Sequence, residues 1–167
     1  MTAAAAPAAT NADRRRAARM AAVQALYQAD IAGVDAATVV AEFIHHRFAG
    51  DGDLPVAAEP DEEFFSDLVR GALGRCAILD SDVAGALRGN WTPERLERIL
   101  LAILRCGAYE LVARPDVPAR VVINEYVDIA HAFFDSEQPS LVNGVLDALA
   151  AKARPGEIEA RDPAAAK

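Results

Sequence analysis

The chain has 167 residues, of which 53% are hydrophobic and only 6% aromatic, and its formal net charge is −8. This length predicts one domain, or two small subdomains with a shared core, that needs no disulfide or metal to fold. The acidic charge excludes a protein that binds nucleic acid over its whole surface. Abundant alanine, leucine, arginine and glutamate favour helix, so we predict an all-α fold.

Several classes of function are excluded because their sequence signals are missing. The alanine-rich N-terminal stretch has no apolar run, so we predict no signal peptide. No segment approaches the roughly 18 apolar residues of a membrane span, and we expect a cytoplasmic protein. No Ser/His/Asp grouping, HExxH motif or P-loop is present, so we expect neither an enzyme nor a cofactor. His45 and His46 point about 100° apart on a helix, so we predict no metal site there.

Helical periodicity organises most of the chain. The helices are predicted at about 13–32, 35–48, 61–87, 93–113, 119–134 and 139–154, with a loop at 50–60. Asn11 or Asp13 is predicted to cap the first helix, and Gly89-Asn90 to separate two subdomains. The resulting divisions are a disordered tail at 1–12, an N-terminal helical subdomain at 13–89, a C-terminal helical subdomain at 90–154 and a tail at 155–167.

A basic cluster opens the first helix. Its members are Arg14, Arg15, Arg16 and Arg19. Residues 1–19 hold these four arginines and one aspartate, a net charge of +3, so the total of −8 leaves −11 for residues 20–167. Cations in the first turn oppose the helix dipole, and the spacing predicts that the four side chains fan outward. We therefore interpret them as a phosphate-binding cluster on an acidic body.

The same helix carries an apolar stripe. Met20, Val23, Tyr27 and Ile31 recur at three- and four-residue spacing, which predicts the face that packs on the core. A second apolar pattern surrounds most of the helix at 93–113, which predicts the central core helix.

Four segments occur in an order that is specific to one family. They are RRRAARMAAVQALYQ at 14–28, ILLAILRCGAYEL at 99–111, RPDVPARVVINEYVDIAHAFF at 114–134 and LVNGVLDALA at 141–150. In this order and spacing the chain resembles the bacterial transcription antitermination factors of the NusB family. The resemblance extends over most of residues 14–150 and is weakest in the loop at 50–60.

The resemblance implies a fold and a function. The fold would be all-α, with about seven helices in two packed bundles. The protein would have no catalytic activity. The function would be to pair with the small-subunit ribosomal protein that acts as NusE and to bind boxA RNA. Together with other Nus factors and RNA polymerase, such a complex suppresses premature termination, notably in ribosomal RNA operons.

The resemblance also implies roles for individual residues. Arg15, Arg16 and Arg19 match the arginine-rich RNA-binding segment, Arg14 extends it, and Gln24 follows as a candidate base contact. Tyr27 matches a tyrosine near the partner-binding face.

Two departures from the family pattern concern apolar residues. Leu141 stands where the family usually has a phenylalanine, which would remove a base-stacking contact worth about 1–3 kcal/mol. We expect Phe133 and the adjacent Phe134 to compensate. Leu100 and Leu101 lie where relatives carry a charged residue, so one of them is predicted to form an exposed apolar site, either a partner face or a homodimer contact.

Other functions stay open at this point. A NusB-like domain also occurs at the front of some ribosomal RNA cytosine methyltransferases, so the chain could be a stand-alone RNA-binding domain of that type. A protein-interaction bundle whose arginines meet an acidic partner is a further alternative. Glu125 and Asp128 share a helix face, but carboxylates at this spacing are usually surface residues. The free protein is expected to be a monomer or a homodimer.

Overall fold

The computed structural model describes residues 7–51 and 58–157, and every regular element in these ranges is helical. The seven α-helices are α1 (Asn11–Ala32), α2 (Ala36–Glu42), α3 (Glu62–Gly74), α4 (Cys76–Ala86), α5 (Arg98–Ala113), α6 (Ala119–Phe133) and α7 (Gln138–Ala153). A π-helical segment (Phe43–Asp51) continues α2, and a 3-10 turn (Pro93–Arg95) precedes α5. The all-α prediction is confirmed.

Helix α5 lies at the centre and packs against α1, α3, α4, α6 and α7. Helices α1, α2 and α3 form one bundle beside it, and α6 and α7 complete a second bundle on its other side. The predicted architecture of about seven helices in two packed bundles is therefore confirmed. Helix α4 packs mainly on α5 and α7 although it precedes residue 89, so the subdomain division at 89 stays a prediction.

Parts of three predicted segments lie outside the described residues: 1–6 of the N-terminal tail, 52–57 of the loop and 158–167 of the C-terminal tail. Within the two described ranges, no helix is long and apolar enough to cross a membrane.

The buried face of α1 differs from the predicted stripe. Val23 is fully buried, but Tyr27 is 39% and Ile31 56% exposed. The buried face instead consists mostly of small side chains, namely Ala18, Ala21, Ala22, Ala25, Leu26 and Ala29. Because alanine projects little from the helix, α3 and α5 can both approach α1 closely, and the larger apolar residues are left at the edge.

The long helix predicted over 61–87 is interrupted. Helix α3 ends at Gly74, and Arg75 leaves the helical conformation with φ −123° and ψ 21° before α4 begins. Gly71 lies against the Tyr109 side chain of α5, where a Cβ atom would be only 2.0 Å from the ring carbon Cζ. Close packing therefore occurs at Gly71, whereas the helix breaks after Gly74.

The helix predicted from residue 93 begins later. The Thr92 side chain makes no capping hydrogen bond, and Pro93 begins only a 3-10 turn. Leu96 then adopts an extended conformation (φ −76°, ψ 142°) and is buried, with 6% of its surface exposed. Because the backbone is extended where Leu96 is buried, the helix does not begin at residue 93, and α5 starts at Arg98.

Arg154 ties the end of α7 to the end of α5. Its guanidinium donates hydrogen bonds to the backbone carbonyls of Glu110, Leu111, Arg114 and Val117. The carbonyls of Glu110 and Arg114 also accept backbone amides, but among the described residues those of Leu111 and Val117 accept only from Arg154.

We expect Arg154→Ala to lower the free energy of unfolding by about 1–2 kcal/mol, because these partly buried carbonyls would lose charged donors. Urea denaturation followed by circular dichroism measures the change. Lys152→Ala is the matched control, since Lys152 is an exposed cation on the same helix and its loss should change the value by less than about 0.5 kcal/mol. Equal losses in the two variants would contradict the capping role.

Candidate nucleic-acid interface

The arginine cluster begins directly after the N-terminus of α1. Thr10 is the N-cap, and it forms a capping box in which its hydroxyl accepts from the amide of Asp13 (3.1 Å) and its own amide donates to the Asp13 carboxylate (3.0 Å). These hydrogen bonds hold the pKa of Asp13 below its usual value. The prediction of Asn11 or Asp13 as the cap is therefore wrong, although Asp13 takes part as the acidic partner of Thr10.

Arg19 does not fan outward with the other arginines. Its side chain is 3% exposed and forms a two-pronged ion pair with Glu110 of α5, with Nε–Oε1 2.8 Å and Nη2–Oε2 2.9 Å. The hydroxyl of Tyr126 donates to the same carboxylate at 3.0 Å, and burial raises the pKa of Tyr126 well above its ordinary value. The predicted outward orientation is wrong for Arg19, because the bundle supplies a fully buried carboxylate at this face.

Arg16 lies on the outer side of the cluster, with 64% of its side chain exposed. Its Nε and Nη2 atoms donate to the carboxylate of Glu125 on α6, at 3.1 and 3.0 Å. This hydrogen bond raises the pKa of the Arg16 guanidinium. Glu125 is only 13% exposed, so it is not the ordinary surface carboxylate that its spacing predicted.

Arg15 and Arg19 stack on one aromatic ring. Their guanidinium carbons lie 4.7 and 5.0 Å from the ring centre of the buried Phe64, and Arg114 approaches the same ring at 5.1 Å. The Asp116 carboxylate accepts a hydrogen bond from Nη2 of Arg114 at 3.0 Å and lies 3.6 Å from Nη1 of Arg15. Phe64 thus positions three cations at once by cation–π contacts.

Arg14 completes the cluster at the same end of α1. Its backbone carbonyl accepts a hydrogen bond from the amide of Asp61, the N-cap of α3, at 3.1 Å. The side chain is half-buried, and within residues 7–51 and 58–157 it forms no ion pair. Arg14, Arg15 and Arg16 are therefore the arginines of the cluster that reach the surface.

A shallow groove of about 500 Å³ lies further along α1. It is lined by Gln24, Tyr27, Glu97, Arg98, Ile99 and Phe133. Tyr27 and Phe133 are 39% and 40% exposed, so the groove displays two aromatic rings. The structure therefore brings together two predicted RNA-binding residues and a predicted partner-binding residue, and their roles stay predictions.

The remaining predicted site residues lie apart from this groove. Leu141 is half-buried at the start of α7 and lines a second groove of about 680 Å³ beside Trp91, which is 40% exposed. Leu100 is in the core with 2% exposure, so its prediction as an exposed apolar site is wrong: this side of α5 faces the bundle. Leu101 is half-buried and packs against the core.

Sequence reasoning missed most of the groups that hold the arginines. Phe64 and Glu110 belong to apolar patterns on α3 and α5, and the Arg19–Glu110 pair joins residues 91 positions apart. One signal was available, because Arg19 shares the spacing of Ala22, Leu26 and Ala29 and therefore lies on their buried face.

Comparisons with known proteins agree on one family. The model of the NusB family matches residues 16–151. The chain is 47% identical to the transcription antitermination protein NusB of Maricaulis maris over 152 residues, which cover 91% of this chain and 95% of that protein.

Solved structures show the same fold. NusB of T. maritima superposes with a TM-score of 0.69 at 25% identity, covering 87% of this chain and 96% of that one. A chain from the crystal structure of antitermination factors NusB and NusE in complex with dsRNA gives a TM-score of 0.68 at 26% identity, covering 83% of this chain and 97% of its own length.

Proposed function

We propose that this chain, which belongs to the NusB family of transcription antitermination proteins, binds boxA-type single-stranded RNA. The binding residues proposed are the arginines of α1 that reach the surface. Members of this family are not enzymes, so the chain acts by binding. The similar crystal structure that contains NusB and NusE with dsRNA supports an RNA-binding role.

One observation carries the proposal. Three consecutive arginines, Arg14, Arg15 and Arg16, lie at one end of α1, and the side chains of Arg15 and Arg16 are 33% and 64% exposed. Guanidinium groups bind phosphate oxygens through paired N–H donors, and stacking on Phe64 orients the donors of Arg15 before a ligand arrives. Arg19 serves a different purpose, because its buried pair with Glu110 fixes the helix that presents the others.

The protein partner proposed is a basic ribosomal protein of the NusE type. Residues 20–167 carry a net charge of −11, which favours a cationic partner. The exposed ring of Tyr27 gives the adjacent groove an apolar contact surface of the kind found at protein interfaces, beside Gln24 and Phe133, which we propose as RNA contacts. We further propose that this pair joins other Nus factors and RNA polymerase to support ribosomal RNA transcription.

RNA binding is tested by fluorescence anisotropy with a boxA-like strand and a scrambled strand, each with and without the NusE-type protein. We expect selective binding that strengthens with the partner. If the three exposed arginines each engage one phosphate, the logarithm of the affinity should fall with the logarithm of salt concentration with a slope of roughly −2, from about 0.7 per phosphate.

Replacing Arg14, Arg15 and Arg16 together by alanine should weaken binding to both strands and remove most of this slope. The matched control replaces Arg70, Arg95 and Lys152, three exposed cations elsewhere, and changes the net charge equally. Equal losses in the two triple variants would show a general charge effect. Unchanged binding in the first variant would contradict the proposed site.

A further inference from the structure

Carboxylates surround the proposed phosphate-binding arginines. Arg15 lies 3.6 Å from Asp116, and Arg16 forms two short hydrogen bonds with Glu125. Acidic groups of the protein therefore already pair with two of the three arginines that are proposed to attract RNA. Such groups are not needed to hold α1 in place, because the buried Arg19–Glu110 pair already joins it to α5.

The contact between Arg16 and Glu125 occupies one of the two guanidinium edges that a phosphate can use. The Nε and one Nη atom point the same way and form a fork that matches two oxygens of either a carboxylate or a phosphate. Both atoms donate to Glu125, which lies on α6 and is 13% exposed. A phosphate can bind to this edge only if the hydrogen bonds between Arg16 and Glu125 break.

We propose that Glu125 competes with RNA phosphate for one edge of Arg16 and so limits the affinity that phosphate contacts alone can give. The inference rests on the proposed RNA-binding function and adds a residue that opposes it. Any strand that uses the Nε–Nη2 edge of Arg16 must replace an existing ion pair, so a phosphate contact at this edge contributes little net affinity. Selective binding then depends on the contacts that a random strand lacks, such as those to the bases or to the protein partner.

Glu125 cannot move far from a phosphate that reaches Arg16. It is mostly enclosed, and its second oxygen lies 3.9 Å from Nη1 of the buried Arg19, which holds it in place. Its negative charge therefore stays close to the incoming phosphate and repels it. This repulsion makes Glu125 a competitor and distinguishes it from a residue that merely presents Arg16 to the ligand.

The test measures RNA affinity for Glu125→Gln, which keeps the shape of the side chain and removes its charge. We expect this variant to bind both the boxA-like and the scrambled strand roughly five- to tenfold more tightly. The gain should be similar for the two strands, because a phosphate contact does not depend on sequence.

A double-mutant cycle separates competition from a general charge effect. Glu125→Gln in an Arg16→Ala background should give less than a twofold gain, because no guanidinium remains to be released. Asp128→Asn is the matched control, since Asp128 lies three residues further along the same helix and accepts no hydrogen bond from Arg16. Thermal unfolding of each variant confirms that the fold is retained.

Three results would overturn the inference. Weaker binding by Glu125→Gln would show that Glu125 positions Arg16 for RNA. An equal gain with and without Arg16, or from Asp128→Asn, would show that only the total charge matters. RNA binding that is insensitive to Arg14, Arg15 and Arg16 would remove the proposed function itself, and the inference with it. The two failures can be distinguished. If the arginine substitutions weaken RNA binding but Glu125→Gln has no Arg16-dependent effect, the proposed function stands and only the role of Glu125 is contradicted.

Discussion

Replacing Arg19 by alanine is expected to lower the free energy of unfolding by about 3–5 kcal/mol, the cost of leaving a buried charge without its partner. Glu110 is fully buried, and Arg19 supplies two of its hydrogen bonds, at 2.8 and 2.9 Å. Without the guanidinium only the Tyr126 hydroxyl remains to satisfy the carboxylate. Urea denaturation monitored by circular dichroism measures the loss.

Arg16→Ala is the matched control for this prediction. It removes an arginine from the same helix, which also pairs with a carboxylate of the second bundle, but 64% of the Arg16 side chain is exposed. Solvent screens a pair whose cation is this exposed, so it contributes about 0–1 kcal/mol. Losses of similar size in the two variants would show that burial does not set the strength of the Arg19 contact.

An apolar replacement of the whole buried group provides a second check. Arg19→Met, Glu110→Leu and Tyr126→Phe together remove both charges and the hydroxyl that Glu110 accepts from. Because no buried polar group is then left without a partner, we expect most of the stability lost in Arg19→Ala to return. A triple variant that is less stable than Arg19→Ala would indicate that the ion pair itself is strongly favourable.

Gly71→Ala is the second substitution with a large expected effect, a loss of about 1–3 kcal/mol in the free energy of unfolding. The new methyl group would lie 2.0–2.3 Å from the end of the Tyr109 side chain. That ring cannot turn away freely, because its hydroxyl donates to Asp67 at 2.8 Å and Arg75 stacks on it at 5.5 Å. The overlap should outweigh the higher helix propensity of alanine.

Gly144→Ala is the control, since Gly144 lies inside α7 and no atom of the described residues beyond its own helix turn is within 4 Å of the position that its Cβ would occupy. At that position only the higher helix propensity of alanine acts, and we expect the free energy of unfolding to rise by about 0.5–1 kcal/mol. The two glycine substitutions should therefore change the midpoint of thermal unfolding in opposite directions. A loss at both positions would contradict the steric explanation for Gly71.

The fold class, the family and several helix bounds could be predicted from the sequence. Helix α6 was predicted at 119–134 and runs over Ala119–Phe133, and α7 was predicted from Pro139 and begins at Gln138. These bounds follow from local properties, namely helical periodicity between segments that contain proline. The order of the motifs identified the NusB family because it depends only on sequence.

The tertiary structure decided which side chains of those helices reach the surface. Periodicity gives the angle between residues around one helix, but it does not say where the neighbouring helices lie. Leu100 became a core residue because α5 is surrounded by five helices, and Tyr27 became exposed because α3 and α5 pack on the alanines of α1.

The arginines show the same limit most clearly. Their number and position were evident from the sequence, but Arg19 is buried while Arg16 is exposed, and each pairs with a carboxylate about 100 positions away. A buried arginine is stable only where the fold supplies a compensating charge, and that charge comes from a helix distant in sequence. Which arginines remain for a ligand is therefore set by long-range packing.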